Sequence, residues 1–182
     1  MKKEELIELL EKHNPYNSEE KESRDKILKF LYENDNFTGR DNKIGHITGA
    51  AWIVSKDRKK VLLTHHLKLN MWLQLGGHVE GEESILETAM REGREESGLT
   101  SLRCLSKDIF DVDVHLFPKR GEVEAHYHFD IRFLLEGDEH EKIKPQQSET
   151  KEIKWVSLEE IPLYSNEETI RRMADKTKIL QT

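Results

Sequence analysis

Residues 77–99 read GHVEGEESILETAMREGREESGL. Ile85, Leu86, Ala89 and Met90 recur at helical spacing between Glu83 and Ser97, and Gly98 is suited to end the helix in a left-handed turn. Glu92, Glu95 and Glu96 then fall at i, i+3 and i+4, on one helical face. Like charges so placed oppose the helix by about 0.2–0.5 kcal/mol per pair, and Arg91 and Arg94 offset part of that. Two readings suit such a face. It is a solvated acidic surface, or it holds a hard divalent cation such as Mg²⁺ or Mn²⁺, which takes carboxylate oxygens and keeps positions for water and phosphate.

Upstream of the helix, WLQLGGHV (72–79) reads as an extended piece that reaches a glycine pair. Before it, HITGAAWIVS (46–55) and KVLLTHH (60–66) are short β-rich runs around the turn KDRK (56–59), the pattern of a hairpin. Residues 2–12 carry Leu6, Ile7, Leu9 and Leu10 among Lys and Glu, and residues 18–34 carry Ile27, Leu28, Phe30 and Leu31 on a second helical face. Between them HNPYNS (13–18) is a turn, with Ser18 expected as N-cap and Glu19 and Glu20 in the first turn. Downstream, LTSLRCLSKDIFDVDVHLF (99–117) and EAHYHFDIRFLLEG (124–137) read as strands about the turn FPKRGE (117–122). EIKWVS (152–157) is a last strand; LEEIP (158–162) and residues 167–178 close the chain as helices. Strands on both sides of a central helix indicate an α/β domain with a mixed sheet. The division expected is an N-terminal helical extension over residues 1–43 and one domain over 44–182.

A chain of 182 residues suits one core. Its 35% hydrophobic residues lie in clusters despite 36% charged ones, which argues against disorder. The net charge of −7 disfavours a bulk nucleic-acid partner, which needs clustered Lys and Arg. No apolar run approaches the roughly 18 residues of a membrane span. Cys104 is the single cysteine, so no intrachain disulfide forms, and the start MKKEELIELLEK has no signal-peptide core. A cytoplasmic setting is the expectation.

The segment from Gly77 to Leu99 resembles the box of the Nudix (MutT-like) hydrolases: Gly, five residues, Glu, seven residues, Arg-Glu, an aliphatic residue, any residue, Glu-Glu, any residue, Gly and an aliphatic residue. Gly77, Glu83, Arg91, Glu92, Glu95, Glu96, Gly98 and Leu99 match, while Gly93 stands where an aliphatic residue is usual and Leu75 where proline is frequent. The resemblance implies an α/β/α sandwich that binds Mg²⁺ (or Mn²⁺) and hydrolyses a nucleoside diphosphate linked to another group: an NTP, a nucleotide sugar or a dinucleotide. It implies Glu92, Glu95, Glu96 and the Gly77 carbonyl as metal ligands, with Glu83 and Arg91 paired to hold the loop on the helix. The general base differs among members; Glu92 and Glu149 are the candidates here. Neither proline nor tyrosine lies about sixteen residues past Leu99, where ADP-ribose and dinucleoside-polyphosphate members tend to carry one. Two alternatives are an isoprenoid-diphosphate isomerase, for which Cys104 is the available cysteine, and a nucleotide sensor without turnover.

Alternation in EAHYHFDIRF puts His126, His128, Asp130 and Arg132 on one face and Tyr127, Phe129, Ile131 and Phe133 on the other. The polar face is either solvated or lines the substrate pocket, where Arg132 or His128 would hold phosphate. His65, His66 and His78 bracket the glycine loop, and His78 is the third substrate candidate. None of the nine histidines falls in a compact zinc motif. Trp52, Trp72 and Trp155 sit in strand-like runs, where core packing is the default. The N-terminal helices suit a lid, a cover for the sheet or an arm to a second copy of the chain.

Overall fold

The computed structural model describes residues 2–67, 69–119, 121–144 and 150–181. The chain runs α1 (Lys3–Lys12), α2 (Ser18–Glu33), β1 (Gly45–Val54), β2 (Lys60–His66), β3 (Met71–Leu73), β4 (Leu75–His78), α3 (Ile85–Ser97), β5 (Arg103–Cys104), β6 (Asp111–Phe117), β7 (His126–Glu136), β8 (Thr150–Ser157), α4 (Ile161–Tyr164) and α5 (Glu168–Ile179). β1 is buried along its whole length, as a strand must be that has neighbours on both edges and layers on both faces. It pairs in parallel with β7 from Gly45↔Tyr127 to Val54↔Glu136, and antiparallel with β4 from Thr48↔His78 to Ala51↔Leu75. β6 extends the sheet beyond β7, and β8 and β3 flank β2.

Parity along β1 and β7 assigns the two faces. Ile47, Ala51 and Ile53 share one cluster with Phe129, Ile131 and Phe133, with Ile85 and Ala89 of α3, and with Leu6, Leu10, Ile27, Phe30 and Leu31 of α1 and α2. Phe30 stacks on Phe129 with ring centroids 4.1 Å apart. Trp52, Val54 and Leu134 face the other way, onto Ile161 of α4 and Ile170, Met173 and Ala174 of α5. The result is an α/β/α sandwich around a mixed sheet, and the two N-terminal helices complete one of its outer layers.

Three local expectations change. The β1–β2 hairpin survives only at Val54↔Val61, because β4 takes the rest of that edge of β1 while β8 takes β2. The N-cap of α2 is Asn17, whose Oδ1 accepts from the Glu20 amide at 2.9 Å, and Ser18 is already helical. The polar face of β7 is not solvated throughout: Asp130 and Arg132 are buried. The turn before β7 contains Arg120, which lies outside the described residues.

α2 and α5 meet around the β6 edge of the sheet through one carboxylate. Glu20 is fully buried; it accepts from Lys176 Nζ at 2.8 Å and from the Tyr16 amide at 2.6 Å, and lies 2.9 Å from His13 Nε2. Lys176 also bonds Asp111 at 3.2 Å and the Phe110 carbonyl. Burial opposes the charge on Glu20, but the bonds from His13 and Lys176 outweigh it and bring the pKa to about 2 from 4.5. A carboxyl with a depressed folded pKa gives its full stabilisation above its unfolded value and loses it as pH falls through the folded one. Glu20→Gln should therefore destabilise the protein by about 2–3 kcal/mol at neutral pH. The gap between variant and wild type should close between pH 4.5 and 2. Urea unfolding across that range checks this; parallel curves for the two proteins would remove Glu20 as the acid-labile tie.

Candidate active site

α3 is locally well specified. Ser84 caps it and exchanges hydrogen bonds with Glu87 in a capping box, and Gly98 ends it at φ 71°, in the left-handed region. Its buried stripe is Ile85, Thr88, Ala89, Gly93, Glu96 and Ser97, and small residues let it sit close to β1. A Cβ on Gly49 would lie 2.7 Å from the Ile85 carbonyl oxygen; one on Gly93 would lie 3.2 Å from Leu102 and 3.5 Å from the Ala51 methyl. Gly93, the odd position of the motif, thus occupies a seat where a larger aliphatic side chain would force its neighbours apart.

That seat brings the polar side of α3 onto β4. Arg91 Nε donates to Glu83 Oε1 at 2.8 Å, its Nη1 to Glu92 Oε1 at 2.9 Å and to Glu95 Oε2 at 3.0 Å, and its Nη2 to the His78 carbonyl at 2.9 Å. Glu83 also accepts from Thr88 Oγ1 at 2.8 Å. The pair with Arg91 holds Glu83 below the usual carboxylate range and raises the guanidinium above its ordinary pKa. Glu96 Oε2 accepts from the Gly76 amide at 3.0 Å. The Glu92 carboxylate lies over Gly77, with Oε1 only 2.3 Å from where a Cβ would be. Glycine at 77 therefore leaves the volume that this carboxylate fills. The acidic side chains of α3 at this corner, Glu92, Glu95 and Glu96, offer oxygen donors. Such donors fit a hard divalent cation.

The other named residues lie elsewhere. Gly49 and Ala51 face α3, so Ala50 and its register partner Arg132 face the opposite side of the sheet. Arg132 is 2% exposed there and is bound by Asp130 at 2.7 Å, Asp111 at 3.1 Å and Asp113 at 3.3 Å. Burial works against its charge, yet these carboxylates hold its pKa above the ordinary value. Expected to hold phosphate, Arg132 is instead engaged by acids beneath α5, whose Arg172 also binds Asp111 at 2.7 Å.

His78 and His128 lie on the same far face and come together, joined by His46, which nothing in the linear pattern marked. The rings of His46 and His78 are 4.9 Å apart, those of His46 and His128 4.8 Å, and those of His78 and His128 5.2 Å. Burial comes first, followed by the nearby charges of His126 and Arg40 for His46, of Arg40 and His46 for His78, and of His115 and His46 for His128; together they lower the pKa of His46 and of His78 to about 4 and of His128 to about 2. His65 instead stacks on Trp72 at 5.0 Å. Cys104 lies at the strand edge formed by β5, where its thiol donates to the Ser106 carbonyl at 2.8 Å and burial raises its pKa. Glu149 lies outside the described residues. No helix among the described residues is long and apolar enough to cross a membrane.

Comparison with known proteins identifies the family of the chain. The family model described as NUDIX domain matches residues 45–176. A probable DHNTP pyrophosphohydrolase of Lactococcus lactis subsp. cremoris is 32% identical over 149 residues, covering 78% of this chain and 84% of the relative. An m7GpppN-mRNA hydrolase of Xenopus laevis is 32% identical over 123 residues, 61% of this chain but 41% of that protein. Among solved structures, a C. elegans Ap4A hydrolase binary complex aligns with TM-score 0.56 at 18% identity, over 74% of this chain and 96% of that one. A MutT protein of Methanosarcina mazei Go1 aligns with TM-score 0.53 at 22% identity, over 78% and 98%. These two likenesses concern the fold alone. The family match spans the whole sheet and the helix seated on it, so the chain belongs to the NUDIX domain family and is a metal-dependent hydrolase of phosphoanhydride bonds.

Proposed function

We propose that the protein is a Mg²⁺- or Mn²⁺-dependent pyrophosphohydrolase of a small nucleotide-type metabolite, with Glu92, Glu95, Glu96 and the Gly77 carbonyl as the oxygen ligands. The observation that carries this reading is the Glu92 carboxylate lying over Gly77 while Glu96 anchors the Gly76 amide, so that α3 and β4 present oxygen donors to one corner. When bound, the divalent ion polarises phosphoryl oxygens, lowers the pKa of a water and neutralises charge developed during in-line displacement. The protein's own part is positional. Arg91 links Glu83, Glu92, Glu95 and the His78 carbonyl, which fixes the loop against the helix before substrate arrives. Glu92 is one candidate for the base that takes a proton from the attacking water, and Glu149 is the other. The helices of residues 1–43 serve on this reading as a cover for the sheet.

The Lactococcus lactis relative is named for DHNTP, so a pterin triphosphate belongs in the substrate panel beside an NTP, a nucleotide sugar and a dinucleotide. Turnover of the preferred substrate should vanish in EDTA and return with Mg²⁺ or Mn²⁺. Glu95→Gln and Glu96→Gln should each lower kcat/KM by about 100-fold or more, since loss of a ligand exceeds the 10–100-fold typical of outer-shell changes. Full turnover in both variants would sink this metal site. Comparison of the pH–rate profiles of Glu92→Gln and Glu149→Gln at saturating metal tests the two candidates, because loss of the base removes its acidic limb from the profile.

Glu83→Gln acts through Arg91. It should raise the Mg²⁺ concentration needed for half-maximal rate by about 10-fold while kcat at saturating metal falls less. An unchanged metal requirement would show that the pair has no part in setting the loop.

A further inference from the structure

A second cluster of ligating side chains stands behind the first. His46 of β1, His78 of β4 and His128 of β7 each point one ring nitrogen into a common space, with those three atoms all within 4.8 Å of one another. We propose that these three histidines bind a first-row transition metal ion of the Zn²⁺ class, at a site distinct from the glutamate corner.

His46 carries the argument. It is 2% exposed, and neither of its ring nitrogens has a hydrogen-bond partner. A buried imidazole normally satisfies at least one nitrogen, since an orphaned polar atom retains its full desolvation cost. A cation at the centre of the trio would satisfy it. Zn–N bonds of about 2.0–2.1 Å in a tetrahedron put ligand atoms about 3.3 Å apart, so the trio closes on an ion by side-chain adjustment while the strands stay in register.

His126 adds an independent indication. Its Nδ1 lies 2.8 Å from the Glu124 carbonyl oxygen. A carbonyl only accepts, so Nδ1 carries the hydrogen, and in the neutral ring Nε2 presents a lone pair. That lone pair accepts a hydrogen bond from His128 Nε2 at 3.2 Å. A backbone carbonyl fixing the tautomer of a ligating histidine is the common outer-shell arrangement. His126 thus stands beside the trio, with its ring 5.1 Å from those of His46 and His128.

The two centres do not compete. Gly77 faces Glu92 across β4, whereas His78, the next residue, pairs with Thr48 on the face turned away from α3. Imidazole favours borderline transition ions, and the carboxylate corner favours Mg²⁺ or Mn²⁺. The His78 backbone connects them, through its carbonyl and Arg91.

The test is Co²⁺ titration of EDTA-stripped, dialysed full-length protein in excess Mg²⁺, read by visible absorption. One equivalent should give the intense bands of tetrahedral nitrogen-bound Co²⁺, and Zn²⁺ should displace it and raise the thermal midpoint. His46→Phe and His128→Gln should each weaken this binding by more than about 100-fold, whereas Glu95→Gln should leave it intact. Circular dichroism and the metal-free midpoint verify folding of each variant; if His46→Phe does not fold, His128→Gln and His78→Gln decide. Only the faint spectrum of octahedral Co²⁺, or bands that survive the histidine changes and disappear with Glu95→Gln, would overturn the proposal.

Discussion

The close seat of α3 on β1 is the constraint on which the rest depends. With a Cβ at Gly49, the Ile85 carbonyl oxygen would be 2.7 Å away, and with one at Gly93, Leu102 and Ala51 would have to yield. These glycines give up helix and strand propensity, about 1 kcal/mol each. In exchange the helix axis comes near enough for short glutamate side chains to reach the backbone of β4. Glu96 meets the Gly76 amide, and Glu92 covers Gly77. A helix held farther off by ordinary side chains would leave the same carboxylates in solvent, where like charges simply repel. The chemistry of the corner is thus a consequence of packing distance first and of charge second.

The opposite face solves a different problem. Asp111, Asp113 and Asp130 lie on it with Arg132, and α5 covers the middle of it with Arg172 and Lys176, which binds both Asp111 and Glu20. Replacing such buried ion pairs by apolar residues often leaves stability unchanged or improved, so their value here lies in placement. The docking of α5 pairs Arg172 and Lys176 with Asp111 while Ile170, Met173 and Ala174 join the cluster of Trp52. The same network ties α2 to α5 through Glu20. The N-terminal helices and the C-terminal helix are therefore coupled to the sheet by charge as well as by the core.

What was legible in the sequence was local. α3 announces itself through Ser84, Gly98 and three glutamates at helical spacing, and its residues are contiguous, so the corner they form needed no knowledge of topology. Gly93 looked like a defect in the pattern because the strand that needs its absence of a side chain lies some forty residues earlier. The hairpin of β1 and β2 was over-read: two β-rich runs around a polar turn do pair, but nothing in either run tells that β4 and β8 will take most of their edges. Alternation in β7 put His126, His128, Asp130 and Arg132 on one face correctly, yet the pairing of β6, which sets Asp111 and Asp113 beside Arg132, is a tertiary fact, and it turned Arg132 from a free cation into a bound one. The histidine cluster was the least legible of all. Its members come from three strands, brought together by the registers His46↔His128 and Thr48↔His78, and a search for a compact motif cannot find ligands at such separations.

β4 is the element through which the two faces constrain each other. Its four residues are Leu75, Gly76, Gly77 and His78. Gly77 must lack a side chain because the Glu92 carboxylate fills that volume, and Gly76 must lack one because a Cβ there would lie 2.7 Å from the Ala50 Cα. Leu75 belongs to the core beneath α3. The strand is consequently left with one side chain that can act on the far face, at position 78. The backbone of that same residue is held by Arg91 from the box. Residue 78 therefore serves both sides: its side chain stands with the histidines and its backbone carbonyl is held by Arg91. The box by itself fixes the class of reaction, and the same box can serve many substrates.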